Sequence, residues 1–206
     1  MTDTLELSDS LTICIADFNL LCDVYRLRHD VYATELNQYP TRVDDSLRDN
    51  DQVQSEFIGA TFRGKLIGFI GVTSPMSPQF SLDKHVPRDQ WTKDLPGPCF
   101  EIRTLTVAKS FRHFRLAGTL MYAAYRFVEA GGGNSVISMG RREVIKLYLR
   151  FGFRRAGLSS QCGDVTYELM SANISEIAAS LPCYQTQLAR MQRRVDWQLP
   201  FGFAAQ

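Results

Sequence analysis

A chain of 206 residues, 45% hydrophobic and 22% charged, suits one globular domain with a sizeable core. Its formal net charge is +1, so bulk charge favours no anionic partner, and any anion site has to come from local clustering. The five cysteines (Cys14, Cys22, Cys99, Cys162, Cys183) form no C-x-x-C pair and the three histidines are scattered, so no metal centre is expected. Reduced thiols and a cytoplasmic protein are expected instead. The N-terminal MTDTLELSDS is acidic and lacks an apolar core, so it is not read as a signal peptide. No apolar run approaches the ~20 residues that span a bilayer, and no membrane partner is expected.

Leu11 to Ala16 reads as a first strand, after which Asp17 is placed to cap a helix. That helix carries Leu20, Leu21, Val24, Leu27, Val31 and Leu36 at mostly helical spacing. It should stop before Tyr39-Pro40, because a residue preceding proline avoids the α region. Residues 41–54 are polar and acidic and read as a loop. SEFIGATF, RGK and LIGFIGVT then read as a β-hairpin. The proline-rich stretch from Ser74 to Pro98 reads as an irregular excursion, with a short helix near Arg88 to Trp91.

Cys99 to Ala108 reads as a strand. After a polar turn, Leu116, Leu120, Met121, Ala124, Phe127 and Val128 make one apolar stripe of a helix, ended by Gly131-Gly132-Gly133. SVISM reads as a buried strand and RREVIKLYLRF as a short amphipathic helix stopped by Gly152. FRRAGLSS and DVTYELM read as a closing strand pair, and a helical tail follows to Leu199, interrupted at Pro182. The order β-α-β-β-β-α-β-α-β predicts an α/β fold, a sheet covered by helices. Residues 1–171 are expected to form the domain, with 172–206 as a helical extension packed on it.

A helix N-terminus fed by a strand presents unpaired N–H groups and the positive end of the macrodipole, which suits a phosphate. Here the turn after Val107 also carries Lys109, Arg112, His113 and Arg115. On spacing alone, a solvated basic turn explains this slightly better than an anion site does. The stretch LTVAKSFRHFRLAGTLM, Leu105 to Met121, resembles the acyl-carrier-binding motif of the Gcn5-related N-acetyltransferase (GNAT) superfamily. Leu105, Val107, Arg112, Ala117 and Leu120 fall on motif positions. Lys109 replaces the usual proline, and His113 and Arg115 replace glycines. The new side chains either crowd the pyrophosphate of coenzyme A or add cationic contacts to it.

REVIKLYLRFGF, Arg142 to Phe153, resembles the later motif of the same superfamily, with Tyr148 at the tyrosine position before Gly152-Phe153. The pair YRLRHDVYATEL and FEIRTLTV resembles the branch of acyl-homoserine-lactone synthases and N-acyl amino acid synthases, on Leu27, Arg28, Val31, Tyr32, Glu35, Glu101 and Arg103.

The resemblance implies a mixed, mostly antiparallel sheet with one splayed parallel strand pair that admits the donor. It implies transfer from acyl-CoA or acyl carrier protein to the amine of a small molecule or amino acid, with no tightly bound cofactor. It implies Tyr148 as general acid toward the departing thiolate. For the donor it implies Val107, Lys109, Arg112, His113, Arg115, Leu116 and Ala117, and for the acceptor Arg28, Tyr32 and Arg103. Glu101 and Arg103 sit two apart on one strand, so they share a face. Glu101 is then either the base or the ion-pair partner of Arg103. The basic residues from Arg112 to Arg155 also fit a larger anionic donor, an acidic carrier protein or an aminoacyl-tRNA. A non-catalytic module that senses an acyl carrier is the alternative of another class.

Overall fold

The computed structural model describes residues 11–49, 53–112 and 115–200. Its strands are β1 (Leu11–Ile15), β2 (Ser55–Phe62), β3 (Lys65–Thr73), β4 (Cys99–Val107), β5 (Ser135–Arg141), β6 (Arg154–Cys162), β7 (Val165–Asn173) and β8 (Val195–Gln198). Its α-helices are α1 (Phe18–His29), α2 (Leu116–Ala130), α3 (Ile145–Arg150), α4 (Ile174–Ser180) and α5 (Gln185–Arg194). The strands form one sheet in the order β6-β7-β5-β4-β3-β2-β1-β8. Neighbours are antiparallel except β4 with β5 and β1 with β8.

The most continuously apolar strand, β3, is buried at every residue after Lys65, as a central strand covered on both faces must be. Side chains alternate across the sheet. Ile58, Ile70, Val136 and Met170 pack against α2, in a cluster with Leu116, Leu120, Met121 and Val128. Their neighbours Phe57 and Phe69 join Val24 under α1. Ile137 and Leu169 lie under the excursion, against Phe80, Leu82, Val86 and Trp91. Thus α2 covers one face, and α1 and the excursion cover the other.

Asp17 caps α1 as its type predicts, accepting from the Leu20 N–H at 2.8 Å. Past His29 the helix widens into a π-helical turn, Asp30–Glu35, which the spacing of apolar residues did not show. The excursion is built of three short 3₁₀ turns, Ser81–Lys84, Arg88–Gln90 and Thr92–Asp94. In the tail, the helical reading holds only as far as Arg194. Residues 195–198 are extended and add a parallel edge to β1. Trp197 and Val195 pack on the main core, and Gln192 Nε2 donates to Tyr122 Oη at 3.1 Å. The extended form pairs with β1 and partly buries Val195 and Trp197 on one flank, which a continued helix would not do. Among the described residues no helix is long and apolar enough to cross a membrane.

Candidate active site

Strands β4 and β5 pair for only three residues, from Cys99↔Ser135 to Glu101↔Ile137. Beyond that point β4 bulges. Its register against β3 shifts between Phe69 and Gly71, and Thr104 adopts φ 50°. Positive φ at a β-branched residue is strained, and such strain collects where a fold holds a working site. A bulge bends its strand, and between β4 and β5 lies a cavity of about 270 Å³. Thr104 to Val107 line it from β4, Met139 and Arg141 from β5, and Ala117 from α2. Leu147 and Tyr148 of α3, Tyr167 of β7, Tyr32 and Glu35 of the π-helix, and Arg112 also line it. The Thr104 hydroxyl is buried with no hydrogen-bond partner among the described residues.

Tyr148 lies in the middle of α3, only 4% exposed, its ring edge-on to Phe153 at 5.5 Å. Gly140 makes this possible, because a Cβ on it would meet the Tyr148 ring at 3.0 Å. Gly152 ends the helix at φ +79°, a conformation that favours glycine. Burial pushes the Tyr148 pKa up to about 12, so the phenol stays protonated through the physiological range. Tyr167 is also buried enough to raise its pKa, and its hydroxyl donates to Gln38 Oε1 at 2.6 Å.

Arg112 is held rather than free. Its Nε–H donates to the Val107 carbonyl at 2.9 Å, and its fork grips Glu35 with both nitrogens, one at 2.8 Å. That bond, the largest influence on Glu35, keeps its carboxyl below the usual range. Among the other residues read as donor-binding, Val107 and Ala117 line the cavity, and Lys109 and Arg115 are exposed. Leu116 is 2% exposed in the main core, so only its backbone remains for a ligand. His113 lies outside the described residues.

Of the residues read as acceptor-binding, Tyr32 lines the cavity but Arg28 and Arg103 do not. Both arginines converge on Asp49. Arg103 grips it with two bonds of 2.7 Å and Arg28 adds one of 2.6 Å. Asp49 came from the acidic loop and nothing in its spacing singled it out. The Nε–H groups of both arginines are buried without an acceptor among the described residues.

Glu101 is not part of the cavity lining, and the Arg103 guanidinium bonds Asp49 rather than Glu101. The excursion closes over it. The carboxylate accepts from the Ser81 N–H at 2.7 Å, the Leu82 N–H at 3.0 Å and the Ser81 hydroxyl. Burial pushes its pKa up, against the pull of Arg103 and these bonds. Glu101→Gln sets an amide N–H against one of these donors. It is expected to cost about 1–3 kcal/mol of stability, read by thermal melting. A fall in rate with unchanged melting, largest at low pH, would instead make Glu101 the base.

No curated protein matches this sequence. Solved structures share its fold. The CoA-dependent acyl-homoserine lactone synthase BjaI, solved with SAM and isopentyl-CoA, superposes with a TM-score of 0.70 at 16% identity, over 93% of this chain and 95% of that one. The AHL synthase LasI gives 0.65 at 15% identity, over 81% and 91% of the two chains. FeeM, an N-acyl amino acid synthase from uncultured soil microbes, gives 0.65 at 11%, over 87% and 99%. The model of the acetyltransferase (GNAT) family matches residues 21–153, which include β4, α2, β5 and Tyr148. The parted strands, the buried phenol and this match agree, and the chain is an acyltransferase belonging to the acetyltransferase (GNAT) family.

Proposed function

We propose that the chain seats a thioester donor in the gap between β4 and β5 and passes its acyl group to the amine of a small, amino-acid-like acceptor. The observation that carries this is the protonated Tyr148 phenol, buried at the wall of that gap. The acceptor nitrogen attacks the thioester carbonyl and forms a tetrahedral oxyanion. A backbone N–H near Val107, on the stretch of β4 that β5 leaves unpaired, is suited to stabilise it. As the carbon–sulfur bond breaks, the thiolate takes the phenolic proton from Tyr148. The nitrogen loses its proton to solvent, and the acceptor enters as the free amine.

One feature supports an acceptor with a carboxylate: Arg141 stands in the cavity wall beside Tyr32 and Tyr167. The donor is acyl-CoA or an acylated carrier protein, both ending in a pantetheine arm able to extend along β4. Solved relatives of the same fold are named for acyl-CoA and for amino acid acylation.

Intact mass spectrometry tests the reading. Acyl-CoA, acylated carrier protein and charged tRNA are offered separately with a pool of amines and amino acids. The expected product is an N-acylated amino acid from one of the first two donors. Product from charged tRNA alone, or no product with any donor, would overturn it.

The Glu35–Arg112 bridge has its own expected signature. Both side chains are about a third exposed, at 34% and 36%, where an ion pair is weak. Glu35→Gln frees Arg112 for the donor's phosphates. Coenzyme A binding should tighten by up to about fivefold and depend more steeply on salt. Unchanged affinity in a titration at two salt concentrations would leave Arg112 as a brace for the π-helix.

A further inference from the structure

Side chains alternate along β5, so Val136, Ser138 and Gly140 share the face that the helices cover. Val136 packs in the core with α2, and Gly140 lets the Tyr148 ring lie against the strand. Ser138 sits between them, 0% exposed. We infer that Ser138 is a positioning residue for Tyr148, its hydroxyl donating to the phenol oxygen as the proton leaves for the sulfur. The inference rests on the acyl-transfer reading of Tyr148.

The Ser138 hydroxyl is buried with no hydrogen-bond partner among the described residues. Such a group is rare in a folded protein, and alanine would fill the same space without the cost of burying it. The phenol of Tyr148 is within its influence. Burial acts most on the Tyr148 pKa and raises it, and Ser138 is the strongest of the groups that lower it. While the phenol is neutral the serine bond is not made. The oxygen becomes a strong acceptor once it carries charge, because a hydrogen bond to an ionised group is shorter and roughly twice as strong. Bonds that serve catalysis are often long in the free protein and tighten as charge develops.

The reaction needs such a donor. The phenol stands at about 12, with Tyr32 of the π-helix adding to the effect of burial and Arg141 of β5 opposing it. An aliphatic thiol titrates near about 8.5. Passing the proton to the departing sulfur is thus uphill by a factor on the order of a thousand, unless the phenolate is stabilised as it forms. Ser138 supplies that stabilisation from behind the cavity wall. The carbon–sulfur bond breaks, its electron pair takes the Tyr148 proton, and the phenolate accepts from the Ser138 hydroxyl, which keeps its own proton. Solvent entering the emptied gap returns a proton to Tyr148.

Two measurements test the inference. The first uses the protein alone, with a fluorinated tyrosine placed at position 148 and followed by fluorine magnetic resonance. Ring fluorines bring the phenol's titration down to a range where the fold survives. Ser138→Ala should raise the midpoint by about one pH unit, the loss of one bond to a charged acceptor. The second is a double-mutant cycle on the single-turnover rate, with the donor and amine that give product by mass spectrometry. Ser138→Ala should slow transfer by roughly tenfold with donor binding unchanged, and should cost nothing more in the Tyr148→Phe background. An unchanged midpoint, or an equal loss of rate in the Tyr148→Phe background, would overturn the inference. A slow Tyr148→Phe beside a fast Ser138→Ala would overturn it alone, whereas a fast Tyr148→Phe would remove the role of Tyr148 and this inference with it.

Discussion

Tyr148→Phe is expected to lower the single-turnover rate by roughly 100-fold or more, the usual worth of a general acid, while donor binding stays nearly unchanged. The substitution removes one hydroxyl and keeps the ring. Its edge-on contact with Phe153 and its seat against Gly140 therefore survive, and the walls that hold the donor keep their shape. The loss should fall on the step in which sulfur departs, because only there does the phenol give up its proton. Burial holds the phenol protonated until about pH 12, so the acid is present at every practical pH. The rate of the wild type should then rise with pH as the acceptor loses its ammonium proton, without a falling limb from Tyr148. Single-turnover kinetics from pH 6 to pH 9 would check both points. A variant as fast as wild type, with chemistry limiting, removes Tyr148 from the mechanism.

Asp49→Asn should produce the largest loss of stability. Arg28, Arg103 and Asp49 are 7%, 6% and 13% exposed at their side chains, so the three charges are held away from water. Asparagine has nearly the same shape but leaves two guanidinium groups buried without an anion. Removing one partner of a buried ion pair costs about 3–5 kcal/mol, which lowers the melting temperature of a chain this size by roughly 10 °C or more. Burial raises the Asp49 pKa, but the bonds and charge of Arg103, with Arg28, outweigh it and hold the pKa below the ordinary value. A depressed carboxyl pKa contributes stability that is present above the unfolded value of about 3.9 and is lost as pH falls through the folded one. The gap between wild type and variant should therefore be wide at neutral pH and close in acid. Melting curves from pH 2 to pH 7 would show it. An unchanged melting temperature with a raised acceptor KM would mean that the two arginines are held for a substrate carboxylate rather than for the fold.

The local elements of this protein were legible in its residues. Strand and helix periods are properties of neighbours along the chain, and they located β2, β3, β4, α2 and β5 and the helical stripe at Leu116, Leu120, Met121 and Val128. Motif resemblance placed Tyr148, Val107, Tyr32 and Ala117, and all four line one cavity because they sit on elements whose order fixes where the strands part. Partner choice was decided elsewhere. Arg28 and Arg103 meet Asp49 across 21 and 54 residues of chain, and Arg112 meets Glu35 across 77. A charged side chain commits to whichever counter-charge the fold brings within about 3 Å, and no periodicity records that. Glu101 shows the same limit. Its place on a strand beside Arg103 was correctly read, but the excursion that closes over it, and makes its carboxylate an acceptor for Ser81 and Leu82, exists only in three dimensions. So does β8: the alternation of Val195 and Trp197 is a short strand signal at the end of a helical run, and the free edge of β1 decides.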